Sequence, residues 1–268
     1  MSAFSRKVAE LTGTAEERIE RLAGGDLSEV LLVPRADGRA AVAKPAIGGA
    51  EAAMLRSIAA AGVPAPLVEA EYDGILLLDF IPNDGIFSPA AWREIGRALR
   101  RLHAHTGEAY GWPVDYHLGT IELSNRPLSD WPRFWAEHRL VSTASVLDRP
   151  WRERVGALAE RLPELLPVSP APAHLHGDLW SGNILVAGGQ LAALIDPACY
   201  HGHAEVDLAM VALFDAPPDD FWESYGPLDE GWDARRPLYQ LFPALVHLRL
   251  FGASYAGMVD RLLGEYGC

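Results

Sequence analysis

Two stretches in the second half of the chain decide its fold: AHLHGDLWSGNILV at residues 173–186 and LAALIDPA at residues 191–198. Asp178 and Asn183 lie five positions apart in the first stretch, and Asp196 closes the apolar run of the second, eighteen positions after Asp178. Two apolar runs joined by a short turn predict a hairpin of buried strands. The spacing therefore predicts an acid and an amide in one loop, with a second acid delivered by the hairpin that follows.

Phosphoryl transfer requires this order of residues. In the kinase catalytic loop HRDxxxxN, an Asp accepts the proton of the attacking hydroxyl, while the Asn and an Asp on the following hairpin bind Mg²⁺. Positioning and charge neutralisation supply most of this catalysis. Asp178 is therefore the predicted catalytic base, and Asn183 and Asp196 are the predicted metal ligands. Either Asp alone would fit a turn or a strand cap, but the three residues together favour a phosphotransferase.

The motif HGDLWSGN at 176–183 and the later DPACYHGHAEVDLAM at 196–210 resemble the fructosamine kinase (ketosamine kinase) family. This family belongs to the aminoglycoside-phosphotransferase-like branch of the kinase fold. The HGD…N pattern is shared with choline and aminoglycoside kinases. The features specific to the subfamily are Trp180 directly after Asp178-Leu179, Asp-Pro-Ala in place of Asp-Phe-Gly, and the pair Asp130-Trp131.

The resemblance implies an α+β, bilobal, protein-kinase-like fold. Residues 1–81 would form a small nucleotide-binding lobe with a five-stranded antiparallel sheet and a helix, and residues 82–268 a mostly helical catalytic lobe. The implied activity is ATP- and Mg²⁺-dependent phosphorylation of a sugar hydroxyl of ketosamines, free or protein-bound, as a step of protein deglycation. Trp180, Asp130 and Trp131 would border the acceptor pocket, with the Trp180 indole as an apolar wall for the sugar ring.

The amino-terminal third has the strand pattern of a nucleotide-binding lobe. Strands are predicted at 19–22, 30–33, 40–44, 67–71 and 75–80. The turn between the first two contains Gly24 and Gly25, and glycines let backbone N–H groups approach phosphates, although such a turn is also an ordinary hairpin. The segment 78–81 would be the hinge, where the backbone of Asp79 and Ile81 meets adenine.

Lys44 ends a strand of small residues, AAVAK at 40–44, which resembles the VAIK strand of kinases. Glu51 follows seven residues later, at the start of a predicted helix. Kinases pair such a lysine and glutamate so that the ammonium faces the α- and β-phosphates of the nucleotide. The pair is therefore predicted to be a nucleotide-binding element.

From residue 88 the apolar spacing becomes helical, interrupted by a stretch at 107–130 that carries no periodicity. A loop of that length inside a domain usually has a function. Only ten residues separate Asp196 from Asp207, too few for the activation segment of a protein kinase, so a small acceptor is favoured. Asp207 resembles the helix aspartate that anchors the catalytic loop.

Composition excludes several classes of function. The net charge is −13, from 23 basic and 36 acidic residues, which argues against binding to nucleic acid or to an anionic membrane. The sequence lacks an apolar run of about 18 residues and a signal peptide, which predicts a cytosolic protein. The two cysteines, Cys199 and Cys268, form no disulfide framework, and Cys199 is interpreted as a small apolar filler.

Three alternatives remain open from the residues alone. The acceptor could be an aminoglycoside or a choline-like amine, because the acidic balance suits cations. The histidines at 174, 176, 201 and 203 could join Asp178 and Asp196 in a metal-dependent hydrolase. The chain could also be an inactive nucleotide-binding module, although base, metal ligands and lysine are all present.

Overall fold

The computed structural model describes residues 2–22, 28–46 and 49–268. Its amino-terminal part contains one antiparallel sheet with the strand order β1-β2-β3-β5-β4. The strands are β1 (Glu20–Arg21), β2 (Leu31–Pro34), β3 (Ala40–Pro45), β4 (Val68–Tyr72) and β5 (Ile75–Asp79). The prediction of a five-stranded sheet is confirmed, and each predicted strand lies within two residues of an observed one.

Both faces of this sheet are covered by helices. Helix α1 (Ala3–Thr12) begins at Ser2, whose side chain accepts a hydrogen bond from the Ser5 N–H, and its Val8 packs on one face. Helix α2 (Ala50–Ala60) covers the other face with Leu55. Alternation along β5 explains how one strand serves both, because Leu77 points to the first cluster and Leu76 to the second.

The remainder of the chain is mostly helical. Its helices are α3 (Pro89–His103), α4 (Trp131–Trp135), α5 (Ser142–Ala144), α6 (Arg149–Leu165), α7 (Glu205–Phe214), α8 (Asp219–Tyr225), α9 (Trp232–Phe251) and α10 (Ala256–Gly264). A π-helical turn, Ala136–Val141, separates α4 from α5, and a 3₁₀ turn, Gly252–Tyr255, separates α9 from α10. None of the helices in the described ranges is long and apolar enough to span a membrane.

Three small antiparallel hairpins or pairs lie among these helices. They are formed by β6 (Tyr116–Leu118) with β7 (Ile121–Leu123), β9 (Ile184–Ala187) with β10 (Gln190–Leu194), and β8 (Ala173–Leu175) with β11 (Tyr200–Gly202). The hairpin predicted before Asp196 is confirmed as β9–β10. The prediction of an irregular loop at 107–130 is wrong for 116–123, where two three-residue strands were too short to show periodicity.

The largest apolar core lies in the helical part and includes Trp131, Phe134 and Trp135, all fully buried. It extends to Met54 and Ile58 of α2, so the helix beneath the sheet also packs on the helical part. This architecture is the predicted bilobal α+β fold. The exact lobe boundary at 81/82, which falls between β5 and α3, stays a prediction.

Candidate active site

A buried carboxylate, that of Asp207, accepts hydrogen bonds from the backbone of the loop that carries Asp178. Asp207 of α7 accepts hydrogen bonds from the backbone N–H of His176 (2.7 Å) and Gly177 (2.9 Å). Burial opposes ionisation of this carboxyl, yet its hydrogen bonds with His103 and the Gly177 N–H hold its pKa below the usual value. The structural role predicted for Asp207 is therefore confirmed.

Gly177 is needed where the loop leaves β8. Its φ is +82°, and a Cβ at this position would lie 2.1 Å from the Ala198 carbonyl oxygen. Only glycine combines that backbone conformation with so close an approach. The loop is thereby pressed against the segment that follows Asp196.

His176 joins the loop to the strand leading to Asp196. Its Nε2 lies 3.0 Å from the Ile195 carbonyl oxygen, and its Nδ1 accepts a hydrogen bond from the Asp178 N–H at 3.4 Å. Burial lowers the pKa of His176, so the ring is neutral and Nε2 carries its proton. The His176 imidazole therefore hydrogen-bonds to both segments that carry the catalytic acids, the loop of Asp178 and the strand end before Asp196.

Asp178 is half-buried and contacts the second motif residue. Asn183 Nδ2 donates to the Asp178 carbonyl oxygen at 2.7 Å and to its Oδ2 at 3.1 Å. Burial, reinforced by the charge of Asp196, raises the pKa of Asp178 to about 7, although the Asn183 hydrogen bond lowers it. A carboxylate poised near neutrality is suited to accept a proton at that pH.

Lys44 lies between two carboxylates. Its Nζ is 2.8 Å from Glu51 Oε1 and 2.5 Å from Asp196 Oδ1. Burial alone would lower the pKa of Lys44, but these two charges outweigh it and raise the pKa. Burial raises the pKa of Glu51, with the Lys44 charge opposing the rise. The lysine–glutamate ion pair predicted from sequence is thus present, and it reaches the acid of the hairpin.

Asp196 has a backbone conformation that is uncommon for its residue type. Its φ is +52°, and the only other positive φ of a non-glycine residue in the described ranges belongs to Asp73. Aspartate adopts such a conformation more readily than most residues with a side chain, and the conformation is concentrated at functional sites. Its side chain remains about half exposed, facing the cleft.

One cleft of about 960 Å³ brings the predicted chemistry together. Six of the residues predicted as site residues line it: Lys44, Glu51, Asp178, Trp180, Asn183 and Asp196. The volume is at the upper end of the range for small-molecule sites. The arrangement can therefore hold a nucleotide and a small acceptor beside one base.

Trp180 lies at the rim of this cleft, 37% exposed. Its ring packs over Gly182, where a Cβ would come within 2.4 Å of the indole. A side chain on residue 182 would thus displace the indole. The absence of a side chain at Gly182 therefore allows the indole of Trp180 to lie there, as an apolar surface near Asp178.

The prediction that Asp130 and Trp131 border the acceptor pocket is corrected by the structure. Trp131 is fully buried, its indole Nε1 donates to the Tyr239 hydroxyl at 3.0 Å, and it lies outside the cleft lining. Asp130 is the N-cap of α4 and accepts a hydrogen bond from the Arg133 N–H. The pair starts and anchors a helix, because an indole buried in an aromatic core cannot reach a substrate.

The other predicted nucleotide-binding residues are two glycines of the first turn and two residues at the end of β5. Gly24 and Gly25 lie outside the described residues. Asp79 ends β5, and its Oδ1 accepts a hydrogen bond from the Leu67 N–H at 2.5 Å. Neither Asp79 nor Ile81 lines the cleft described above, so the hinge contact with adenine stays a prediction.

The hydrolase alternative required the motif histidines to gather around one metal. Among the described residues, ligand atoms of three or more such side chains come within 4.8 Å only at His203, Glu205 and Asp229, a group that excludes Asp178 and Asp196. Arg235 neutralises the Glu205 of that group through two hydrogen bonds, at 2.8 and 2.5 Å. The cluster that this alternative required is therefore not assembled among the described residues.

Two walls of the cleft were missed from sequence. One is the β6–β7 hairpin, which contributes Tyr116. Burial and the charges of Glu51 and Asp196 raise the pKa of this phenol, so it stays protonated. The sequence feature that could have predicted this hairpin is Gly119, the first residue of the two-residue turn between β6 and β7. The other wall is formed by side chains of α7, α9 and the 3₁₀ turn after it.

Comparisons with known proteins indicate the family to which the chain belongs. A family model described as fructosamine kinase matches residues 1–266. A probable ketoamine kinase of Thermus thermophilus is 34% identical over 251 residues, which cover 90% of this chain and 91% of the relative. A chloroplastic protein-ribulosamine 3-kinase of Arabidopsis thaliana is 32% identical over 204 residues, covering 71% of this chain and 61% of the relative.

Solved structures give the same grouping. A crystal structure from Thermobifida fusca, named "putative fructosamine-3-kinase", has a TM-score of 0.85 and 31% identity over 98% of both chains. An aminoglycoside phosphotransferase solved with AMP-PNP and hygromycin B has a TM-score of 0.68 at 17% identity, covers 99% of both chains, and shares the fold alone. This chain belongs to the fructosamine kinase family.

Proposed function

We propose that the chain transfers the γ-phosphoryl group of ATP to a sugar hydroxyl of a ketosamine, the rearranged product of glucose or ribose with an amine. The observation that carries this proposal is the convergence of Asp178, Asn183, Asp196, Lys44 and Glu51 in one cleft. Family membership supports the acceptor class. Its physiological role would be a step of deglycation, acting on free or protein-bound ketosamines.

Asp178 acts as the base in this proposal. The acceptor hydroxyl donates its proton to the Asp178 carboxylate as the oxygen attacks phosphorus, and a positioned base is typically worth about 10²–10⁴ in rate. The hydrogen bond from Asn183 orients the carboxylate. His176 and Asp207 keep the loop backbone fixed, so that little reorganisation accompanies the transfer.

Lys44 supplies the positive charge for the nucleotide. Glu51 holds its ammonium in the cleft from the side of α2, and Asp196 holds it from the catalytic side. A lysine so placed can contact phosphate oxygens. The same geometry explains the buried Glu51, whose charge would be costly without this partner.

The donor set of the cleft fits Mg²⁺. Asp196 offers a half-exposed carboxylate and Asn183 an amide, and hard oxygen ligands of this kind are those that Mg²⁺ prefers. We therefore assign Asn183 and Asp196 as its protein ligands. When bound, the ion would neutralise charge on the phosphate oxygens.

Trp180 selects the acceptor in this account. Trp180→Ala should raise KM for the sugar acceptor by about tenfold while KM for ATP changes little, because the indole wall contacts the sugar and not the nucleotide. Steady-state kinetics with each substrate varied in turn measure both constants. Trp222→Ala is a control at a tryptophan outside the cleft lining. Equal increases in the two constants for Trp180→Ala would indicate a packing role instead.

A runner-up function is phosphorylation of an aminoglycoside, which the shared fold permits. A polycationic acceptor needs several carboxylates along an open cleft. Those lining this cleft within the described residues, namely Glu51, Asp178 and Asp196, lie at the phosphoryl-transfer end, and Lys44 neutralises part of their charge. One neutral sugar beside an indole fits better.

An acceptor panel tests the substrate class. We expect ribosylated or glucosylated lysine to give a higher kcat/KM than kanamycin or choline, measured by ATP consumption at matched concentrations. A higher kcat/KM for kanamycin would overturn the assignment. A cytosolic location remains a prediction, since the Arabidopsis relative is named as chloroplastic.

A further inference from the structure

The outer end of the cleft is lined by a continuous row of aromatic rings. It starts at Trp180, whose ring centroid lies 6.4 Å from that of Phe214 in an edge-to-face arrangement. His247 follows at 4.6 Å from Phe214, and Phe251 and Tyr255 lie 5.3 and 4.9 Å from His247. All five side chains line the cleft. We call Phe214, His247, Phe251 and Tyr255 the aromatic row.

Three elements of the chain contribute to this row. His247 and Phe251 are four residues apart at the end of α9, whereas Tyr255 lies beyond Gly252, where the helix ends with φ +80°, and its ring is 6.0 Å from that of Phe251. Side chains four residues apart share one face of a helix. Phe214, the last residue of α7, completes the row from the side of Asp178.

The aromatic row carries no formal charge. Nδ1 of His247 lies 2.8 Å from the Pro243 carbonyl oxygen, which can only accept a hydrogen bond, so Nδ1 carries the proton. Burial lowers the pKa of His247, so its ring is neutral and Nε2 keeps a lone pair. The other side chains that line this end are Val246, Leu250, Ser254 and Ser181. The wall is thus uncharged and largely apolar, and Nε2 of His247 is a hydrogen-bond acceptor within it.

We infer that the aromatic row is a carrier subsite, which binds the amine-linked part of the ketosamine and prefers an uncharged aromatic or apolar carrier. The inference rests on the proposed function and goes beyond it, because it names the group attached to the sugar amine. The aromatic row adjoins Trp180, the proposed sugar wall, through Phe214, so a group attached to a sugar at Trp180 could lie against the row.

Chemistry favours this occupant over a charged one. A phenyl or alkyl carrier gains apolar contact with Phe251, which is 44% exposed in the described structure, and with Tyr255. His247 Nε2 can accept a hydrogen bond from the ketosamine ammonium. No carboxylate lines this wall, and the neighbouring Asp215 already accepts a hydrogen bond from the Ser181 N–H at 2.8 Å. A carrier with a second, distal cation therefore loses hydration without gaining an ion pair with the wall.

Calorimetric titration with three fructose ketosamines tests the subsite without requiring turnover. The compounds share the sugar and differ in the carrier: ethylamine, 2-phenylethylamine, and 1,4-diaminobutane, whose second amine is a distal cation. We expect the phenylethyl compound to bind wild-type protein about tenfold more tightly than the ethyl compound. The diaminobutane compound should bind no more tightly than the ethyl one.

Phe251→Ala should remove this preference while leaving the Kd of the ethyl compound within about twofold, since the ring of Phe251 contacts the carrier and not the sugar. Tyr255→Leu, which keeps apolar volume, provides a second variant. Tyr72→Ala is the control, because Tyr72 is 66% exposed on β4 and lies outside the cleft. It should bind all three compounds as the wild type does.

Several results would overturn the subsite. They are equal affinities for the three compounds, tightest binding of the distal cation, no binding of any compound, and a phenylethyl preference that survives both Phe251→Ala and Tyr255→Leu. ATP-dependent phosphorylation of the same compounds is scored separately. A preference lost in the variants, without any turnover, would support the subsite and refute the proposed activity.

Discussion

Asp178→Asn should lower kcat for ketosamine phosphorylation by about 10²–10⁴-fold, because an amide cannot take the proton of the acceptor hydroxyl. The substitution keeps the side-chain shape, and an amide oxygen can still accept the hydrogen bond from Asn183. Affinity for Mg-ATP should change little, because the base contacts the acceptor. Single-turnover rates and calorimetric nucleotide binding measure the two effects separately.

A matched control is Asp233→Asn, which makes the same chemical change in the first turn of α9, at a side chain 87% exposed. Its kcat should equal that of the wild type. Near wild-type turnover of Asp178→Asn would refute the assignment of the base. Loss of both turnover and nucleotide binding would instead indicate that the variant has lost the local fold of the catalytic loop.

Asp196→Ala should weaken Mg-ATP binding by at least about tenfold, equivalent to about 1.4 kcal/mol, and should also lower kcat. The carboxylate is both the proposed Mg²⁺ ligand and a partner of Lys44 at 2.5 Å. Its removal therefore takes away a metal ligand and leaves the ammonium with Glu51 alone. Calorimetry with ATP in the presence and absence of Mg²⁺ measures the effect.

A companion substitution separates the ligand from the backbone. Residue 196 has φ +52°, a conformation that asparagine tolerates better than alanine. Asp196→Asn should therefore fold as the wild type does and still lose most of the Mg²⁺-dependent gain in affinity. Unchanged Mg-ATP affinity in both variants would count against the metal role of Asp196.

The chemistry-bearing segments could be predicted because their geometry is local in sequence. The five-residue spacing of Asp178 and Asn183 and the hairpin leading to Asp196 place three groups within one supersecondary unit. The pairing of Lys44 with Glu51 also follows from a short strand-to-helix connection. A local pattern constrains local geometry, so these residues do meet in the cleft.

Trp131 shows where such reasoning fails. Its motif and its position at a helix start are visible in the sequence, but its burial depends on Tyr239, more than a hundred residues later. The apolar surface and single N–H donor of an indole suit both a protein core and a ligand-binding surface. Sequence alone cannot separate these outcomes.

The aromatic row is a second feature that local sequence patterns could not predict. The four-residue spacing of His247 and Phe251 indicates one helix face, but the place of Tyr255 beyond Gly252 does not follow from it. What that face meets, Phe214 and the rim at Trp180, is set by the packing of α7 against α9. Tyr116 likewise reaches the cleft on a hairpin whose strands are three residues long.

Transfer of the γ-phosphoryl group from labelled ATP to glucosylated lysine is the most direct test of the central claim, that this cleft phosphorylates ketosamines with Asp178 as base. We predict one phosphate on the sugar of the product with wild-type protein, and about 10²–10⁴-fold slower labelling with Asp178→Asn. Absence of label on the sugar, or equal labelling by the two proteins, would contradict the account.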